Sequence, residues 1–431
     1  MRTRISADRD AQSASSCARW GGRWPLMLAL GALAATIAAV VALAGCGQAS
    51  ATPGGGGHAG AGATATPRAT SVPRAVIQQG PPVTWQSVAM PPEVPEVEVA
   101  PSDGNVAYTC APRFPYRAGT VHIWVTRDRG QHWSAGGSIA GLAGAADCLL
   151  TVDDNDASVL VATLNTARGG ASPDPANGAA YVSFDGGAHW RSLGKGIVIK
   201  HVASYQGKYY AAYLFQATPT SQIQGSLAVS TDQMASWHAV GPDQIYAGSS
   251  FWLSPLNGSL LSTGGQGTAA FERSDDGGAH WTPVSLPAWT QTILAAPRSG
   301  AEPWEICAAA VPGPGTPAST ANQLACSADS GQTWQTLPTL SQTNRSPKGL
   351  TYPASAYAFA IAGDGAVIVA TDDGASGAHL YRLLAGTNIW ETLGALNDSA
   401  SCSYSSGPGA GVLWQTGAGT ATELTADYPR G

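Results

Sequence analysis

Ser183-Phe184-Asp185-Gly186-Gly187-Ala188-His189-Trp190 is the stretch on which the reading of this 431-residue chain turns. Its pattern is Ser-x-Asp-x-Gly-x-x-Trp, and the chain keeps returning to it. Ser274-Asp276-Gly278-Trp281 and Ser327-Asp329-Gly331-Trp334 repeat the same residues at the same spacing. Thr126-Asp128-Gly130-Trp133 places Thr first, and Ser230-Asp232-Met234-Trp237 has Met in place of the Gly. Repetition at this period marks one supersecondary unit used many times.

Each copy follows a short β-type run, such as Ala180-Tyr181-Val182 or Ala269-Ala270-Phe271, and precedes another. The pattern therefore predicts a hairpin turn. The Asp carboxylate accepts hydrogen bonds from the turn's own N–H groups. The Gly supplies a backbone with φ > 0. The Trp offers a large ring for packing and an indole N–H for bonding.

These residues resemble the Asp-box, or bacterial neuraminidase repeat, of the β-propellers found in sialidases, sortilin-type receptors, certain glycoside hydrolases and photosystem II assembly factor-like proteins. The resemblance implies an all-β propeller of four-stranded antiparallel blades. It implies no particular activity, because one fold carries many functions.

Seven Trp residues begin short strands of the same form: 85, 133, 190, 237, 281, 334 and 390. Spacings of 44 to 57 residues suit one four-stranded blade each. Trp85 follows only linker-like sequence, and about three strands follow Trp390. The economical arrangement is seven blades, with the N-terminal strand at Trp85 completing the last blade and closing the ring. Six blades and an appended hairpin form the alternative. In the blade of Trp390 the box is lost, since Ala385 stands at the Asp position.

Residues 1–24 carry Arg2, Arg4, Arg9, Arg19 and Arg23, and residues 26–43 are uncharged and apolar, ending in Leu43-Ala44-Gly45-Cys46. A basic start, an apolar core and small residues before a Cys read as a secretory signal. The last four residues resemble the lipobox of bacterial lipoproteins, which implies lipidation of Cys46. An uncleaved membrane anchor is the alternative, the run being near spanning length. Residues 47–80, rich in Gly, Ala, Thr and Pro, read as a flexible linker. The domain reading is thus 1–46 signal or anchor, 47–80 linker and 81–431 propeller, outside the cytoplasm and tethered to the bacterial cell membrane.

The formal net charge is −6, and the five Arg and two Asp of residues 1–46 leave −9 on the remainder. That balance disfavours nucleic acid as a partner. An exported chain permits disulfides. Cys307 and Cys326 fall at opposed positions on neighbouring predicted strands, and Cys110 and Cys148 form a second possible pair. No CxxC spacing supports a zinc site, and no cofactor or metal is expected.

The boxes join third to fourth strands and lie on one face, where Asp128, Asp185, Asp232, Asp276 and Asp329 are expected to hold turns. A ligand belongs on the opposite face. Loops predicted there carry Arg113, Tyr116, Arg117, Arg168, Trp289, Arg345 and Lys348. Arginines fork to carboxylates and aromatics stack on sugar faces, so the group suits an anionic or carbohydrate ligand. Sialidases carry a Phe/Tyr-Arg-(Ile/Leu)-Pro motif before the first box. The nearest match, Arg113-Phe114-Pro115, departs from it, and no clamp of three Arg or pair of catalytic carboxylates is assignable. The reading is a monomeric, non-catalytic module that binds a cell-envelope protein or glycan. The alternative is an exo-acting sialidase-type glycoside hydrolase.

Overall fold

A computed structural model describes residues 75–427 apart from connecting segments, among them 112–119, 141–146, 166–177, 216–223, 242–250, 296–305, 310–322 and 396–411. Cys46 and the apolar run of residues 26–43 lie outside the described residues.

The described chain is all β. The first sheet holds Glu98–Val99, Ala107–Ala111, Thr120–Thr126 and Ser134–Ala140. The second holds Asp147–Val152, Leu160–Asn165, Gly178–Ser183 and Arg191–Lys195. The third holds Ile197–Tyr205, Lys208–Phe215, Gln224–Ser230 and His238–Ala239. The fourth holds Phe251–Leu253, Leu260–Gly264, Ala270–Ser274 and Thr282–Pro283. The fifth holds Thr292–Ala295, Ile306–Ala309, Leu324–Ser327 and Gln335–Thr336. The sixth holds Ser355–Ile361, Val367–Asp372, Ala378–Leu383 and Ile389–Ala395. Each is an antiparallel meander whose neighbours in sequence are neighbours in the sheet. That is the make-up of a propeller blade.

Two pairings tie the N-terminal part of the described chain to its C-terminal part. Thr84–Ala89 pairs antiparallel with Thr422–Asp427, which pairs with Val412–Thr416, in a three-stranded sheet. Val76–Gln79 lies within the stretch read as linker, yet it pairs in parallel with Ile389–Ala395 and makes the sixth sheet five-stranded. No apolar alternation announces it. Its side chains are all exposed, and backbone pairing holds it in the sheet together with the Gln78 and Gln79 side-chain amides, which donate to Glu391 Oε1 and Thr392 O.

Burial grades across each sheet. In the second sheet Leu160–Asn165 is buried at every position, while Arg191–Lys195 is half or fully exposed. A strand covered on both faces reads as a continuous apolar run. The cores sit between consecutive sheets. Tyr108 and Ile123 of the first cluster with Leu150 and Leu160 of the second. Val161 and Val182 of the second meet Ile199 and Val202 of the third. Leu227 meets Leu253 and Leu260 across the next seam, Leu261 meets Ile306 across the one after, and Cys307 and Leu324 meet Val367 and Tyr381. Val88 of the three-stranded sheet packs on Val99 and Ala107 of the first.

A repeated Trp sits on each of these seams, packed against the sheet that precedes its own: Trp133, Trp190, Trp237, Trp281, Trp334 and Trp390. Disulfides join Cys110 to Cys148, between the first and second sheets, and Cys307 to Cys326, directly opposed on adjacent strands.

Box glycines serve two needs at once. Gly278 has φ +96°, and a Cβ there would stand 2.6 Å from Val240 Cβ of the preceding sheet. Gly207 has φ +76° in the Tyr205–Lys208 hairpin but has open space around it. Gly207→Ala is therefore expected to lower stability by about 1 kcal/mol, from backbone conformation alone. Gly278→Ala adds a steric clash and is expected to cost at least about twice that, measured by urea denaturation of both variants.

Candidate functional site

The five boxes have one geometry. In the second sheet Asp185 Oδ1 accepts from Ser183 Oγ–H at 2.8 Å and from the His189 backbone N–H at 2.9 Å, while Oδ2 lies 2.6 Å from His189 Nδ1. Ser183 Oγ in turn accepts from the Gly187 N–H at 2.9 Å. Asp128, Asp232, Asp276 and Asp329 repeat this, with the residue four places on contributing both its N–H and its side chain. The two residues after each Asp are both left-handed, as at Gly186 and Gly187 (φ 69° and 87°) or Gln233 and Met234 (φ 56° and 65°). Met234 adopts this conformation although it is not Gly, with its side chain buried between the second and third sheets.

The position before each Trp belongs to this network although the Ser-Asp-Gly-Trp pattern leaves it open. It is His132, His189, Ser236, His280 and Thr333, and every one can hydrogen-bond the carboxylate. Comparing the five copies at that column was the available signal. The Trp indoles are less uniform. Trp190 Nε1 donates to Gly187 O at 2.8 Å, and Trp281 Nε1 donates to Gly278 O and across the seam to Val240 O at 2.6 Å. The Trp itself closes the turn, and in the five boxes the fourth strand begins one residue later.

These bonds decide the chemistry of the box carboxylates. The His189 N–H, with further bonds from the His189 ring and Ser183, holds Asp185 down at about 2 against the opposing effect of burial. The Ser236 hydroxyl and N–H hold Asp232 lower still. A carboxylate so occupied stays ionised and engaged in its own turn, which suits support rather than proton transfer.

The boxes share their end of the sheets with the turns between first and second strands. Gly186 N–H donates to Ser158 O, and Arg129 N–H to Asn105 O. One such turn carries a polar cluster absent from the sequence expectations. Asp153 is fully buried, and its Oδ1 accepts from Asn155 N–H, Asp156 N–H, and both the N–H and Oγ–H of Ser204 in the third sheet, at 2.8–3.1 Å. Beside it His201 Nε2 lies 2.7 Å from Asp154 Oδ2. Sequence reasoning had no means of joining residues 153–154 to residues 201 and 204, since only stacking of the sheets brings them together. Among the described residues, no three His, Cys, Asp or Glu side chains are grouped to hold a metal ion.

The strands flanking the predicted ligand loops end on the side of the sheets away from the boxes. Arg113, Tyr116, Arg117, Arg168 and Lys348 lie outside the described residues. Arg345 is paired with Thr351 in a short two-stranded sheet. Trp289 is half-buried in a turn in which Thr290 N–H and Oγ–H both donate to Pro287 O.

No family model matches this chain, and no curated protein does. Solved structures do. The chain is similar to YCF48 bound to D1 peptide, with 11% identity and a TM-score of 0.48 over 83% of this chain and 98% of that one. It is similar to the β-propeller domain of Myceliophteria thermophila Cps50 (Swd1), with 11% identity and a TM-score of 0.47 over 81% and 100%. It is also similar to an ancestral GH74 enzyme, with 14% identity and a TM-score of 0.45 over 79% of this chain, which spans only 45% of that enzyme.

Asp185→Ala removes three bonds from one turn. It is expected to lower stability by about 1–2 kcal/mol at neutral pH. A carboxylate with a depressed folded-state pKa stabilises above its unfolded value of about 4 and loses that contribution as pH falls. The gap between wild type and variant should therefore narrow between about pH 4 and pH 2, read from thermal melts in that range.

Proposed function

We propose that this chain is a membrane-tethered, extracytoplasmic propeller that binds a protein or glycan of the cell envelope without catalysis. In this reading residues 1–46 direct export and Cys46 carries the lipid. Residues 47 to about 75 form a spacer, and the rest of the chain makes seven blades, with Val76–Gln79 added to the sixth and Thr84–Ala89 completing the last. The loops opposite the boxes form the binding face, with Arg113, Tyr116, Arg117, Arg168, Trp289, Arg345 and Lys348 as its contacts.

One observation carries the reading. The carboxylates that recur in the five boxes have both oxygens engaged within their own turns. The repeat is thus spent on holding sheets together, and specificity falls to non-repeating loops. A rigid scaffold presenting variable loops is the usual construction of a binding module.

The test uses the full-length protein in detergent, with Arg113→Ala and Arg345→Ala beside it. The expected result is no hydrolysis of a fluorogenic sialoside by any of the three. Retention of wild type on a glycan array or an immobilised envelope fraction should fall at least tenfold in the variants. Turnover by wild type that either variant abolishes would overturn the reading in favour of a sialidase-type hydrolase.

A further inference from the structure

The turn at residues 153–159 carries a polar network that goes beyond its one bond to a box, Gly186 N–H to Ser158 O. It touches three sheets. Tyr108 of the first donates its hydroxyl to Ala157 O at 2.7 Å. On the other side five hydrogen bonds cross to the third sheet. Ser204 N–H and Oγ–H donate to Asp153 Oδ1, Asn155 Nδ2–H to Ser204 O at 2.8 Å, and Asp154 N–H to Val202 O at 3.1 Å. The fifth is the His201–Asp154 contact, with the imidazole tilted against Phe251 of the fourth sheet at 4.5 Å between ring centres.

Asp153 is unevenly satisfied within this seam. Its Oδ1 takes all four donors, and its Oδ2 is buried with no hydrogen-bond partner. An ionised carboxylate shares its charge between both oxygens, so a bare buried oxygen is unfavourable. Full burial with no donor at Oδ2 penalises the charged form, and a proton on Oδ2 removes that charge; the four donors on Oδ1 act in the other direction.

We propose that the seam between the second and third sheets is proton-sensitive, closed when Asp153 Oδ2 carries a proton from solvent and loosened when that proton leaves. The titratable groups facing Asp153 are Asp154 and Asp156 on its own turn, His201 and Tyr209 on the third sheet, and Tyr108 on the first. Burial pushes Asp153 up to about 7, and the neighbouring charge of Asp154 adds to it, against the pull of the N–H donors. Burial pulls His201 down, but the charge and hydrogen bond of Asp154 outweigh it and hold it above its ordinary value.

Both groups act in the same direction. Between about pH 4 and about 7 the folded protein binds more protons at Asp153 than the unfolded chain, so stability falls as pH rises through that window. The His201 contribution is complete below its unfolded value of about 6.5 and is lost as pH rises through its folded value.

Hydrogen exchange on the full-length protein, corrected for intrinsic rates, tests this at pH 5.5 and pH 8. Protection of amides 153–159 and 202–205 should fall by tenfold or more at the higher pH, the factor that one pKa unit represents. Amides of the sixth sheet should keep their protection. Asp153→Asn, which cannot titrate, should abolish the local fall. Ser204→Ala removes a donor that favours the ionised form and should move the fall to higher pH. It serves as the readout if Asp153→Asn does not fold. A fall that persists in Asp153→Asn, one spread equally over all sheets, or an unshifted midpoint in Ser204→Ala would each overturn the proposal.

Discussion

Everything in this structure depends on a carboxylate gripping its own turn. In each box one Asp oxygen holds a hydroxyl two residues back and a backbone N–H four residues on. Those two bonds go with a left-handed backbone at the two residues after the Asp, the same at Gly186-Gly187 and at Gln233-Met234. The turn then delivers a Trp at a set distance from its strand. In each box that Trp sits on the seam with the preceding sheet.

The seams between sheets are mostly apolar, and two buried carboxylates, Glu391 and Asp153, differ in kind. In the sixth sheet Arg382 and Glu391 face each other across adjacent strands, with Arg382 Nη2 2.5 Å from Glu391 Oε2 and both side chains nearly buried. Gln78 of the added parallel strand donates to the free Glu391 oxygen, so every acceptor position has a donor. That pair is satisfied, and satisfaction is the condition under which buried charge is tolerated. Asp153 is not satisfied in the same way, since four donors crowd one oxygen and the other has none. Two buried carboxylates in one chain thus answer burial differently, one by pairing and one through its proton.

Much of the fold was legible. The repeat period set by the Trp residues matches the succession of four-stranded sheets, each with its strands in chain order. Short apolar runs between turn signals suffice for that, because antiparallel meanders are local. The strand Val76–Gln79 was not legible, since all four of its side chains are exposed, with no apolar alternation, and it is held by main-chain pairing and two Gln amides. The residue preceding each Trp was visible in the alignment of five boxes yet left unread. The ligand face rests on loops between strands, where no periodicity guides inference, and there the sequence supplied only residue types.

By itself, the amino-acid order determined the element type, the place of every box and the residues that hold each turn, because those interactions span four residues or fewer. Only the tertiary structure decided which sheet each Trp packs against, that residues 76–79 extend a sheet whose other strands begin at residue 355, and that Asp153 meets Ser204. Contacts of that kind join groups about 50 to 310 residues apart and depend on how one sheet stacks on the next. Local pattern carries no record of that distance, so burial and proton affinity at such positions emerge only once the sheets are packed.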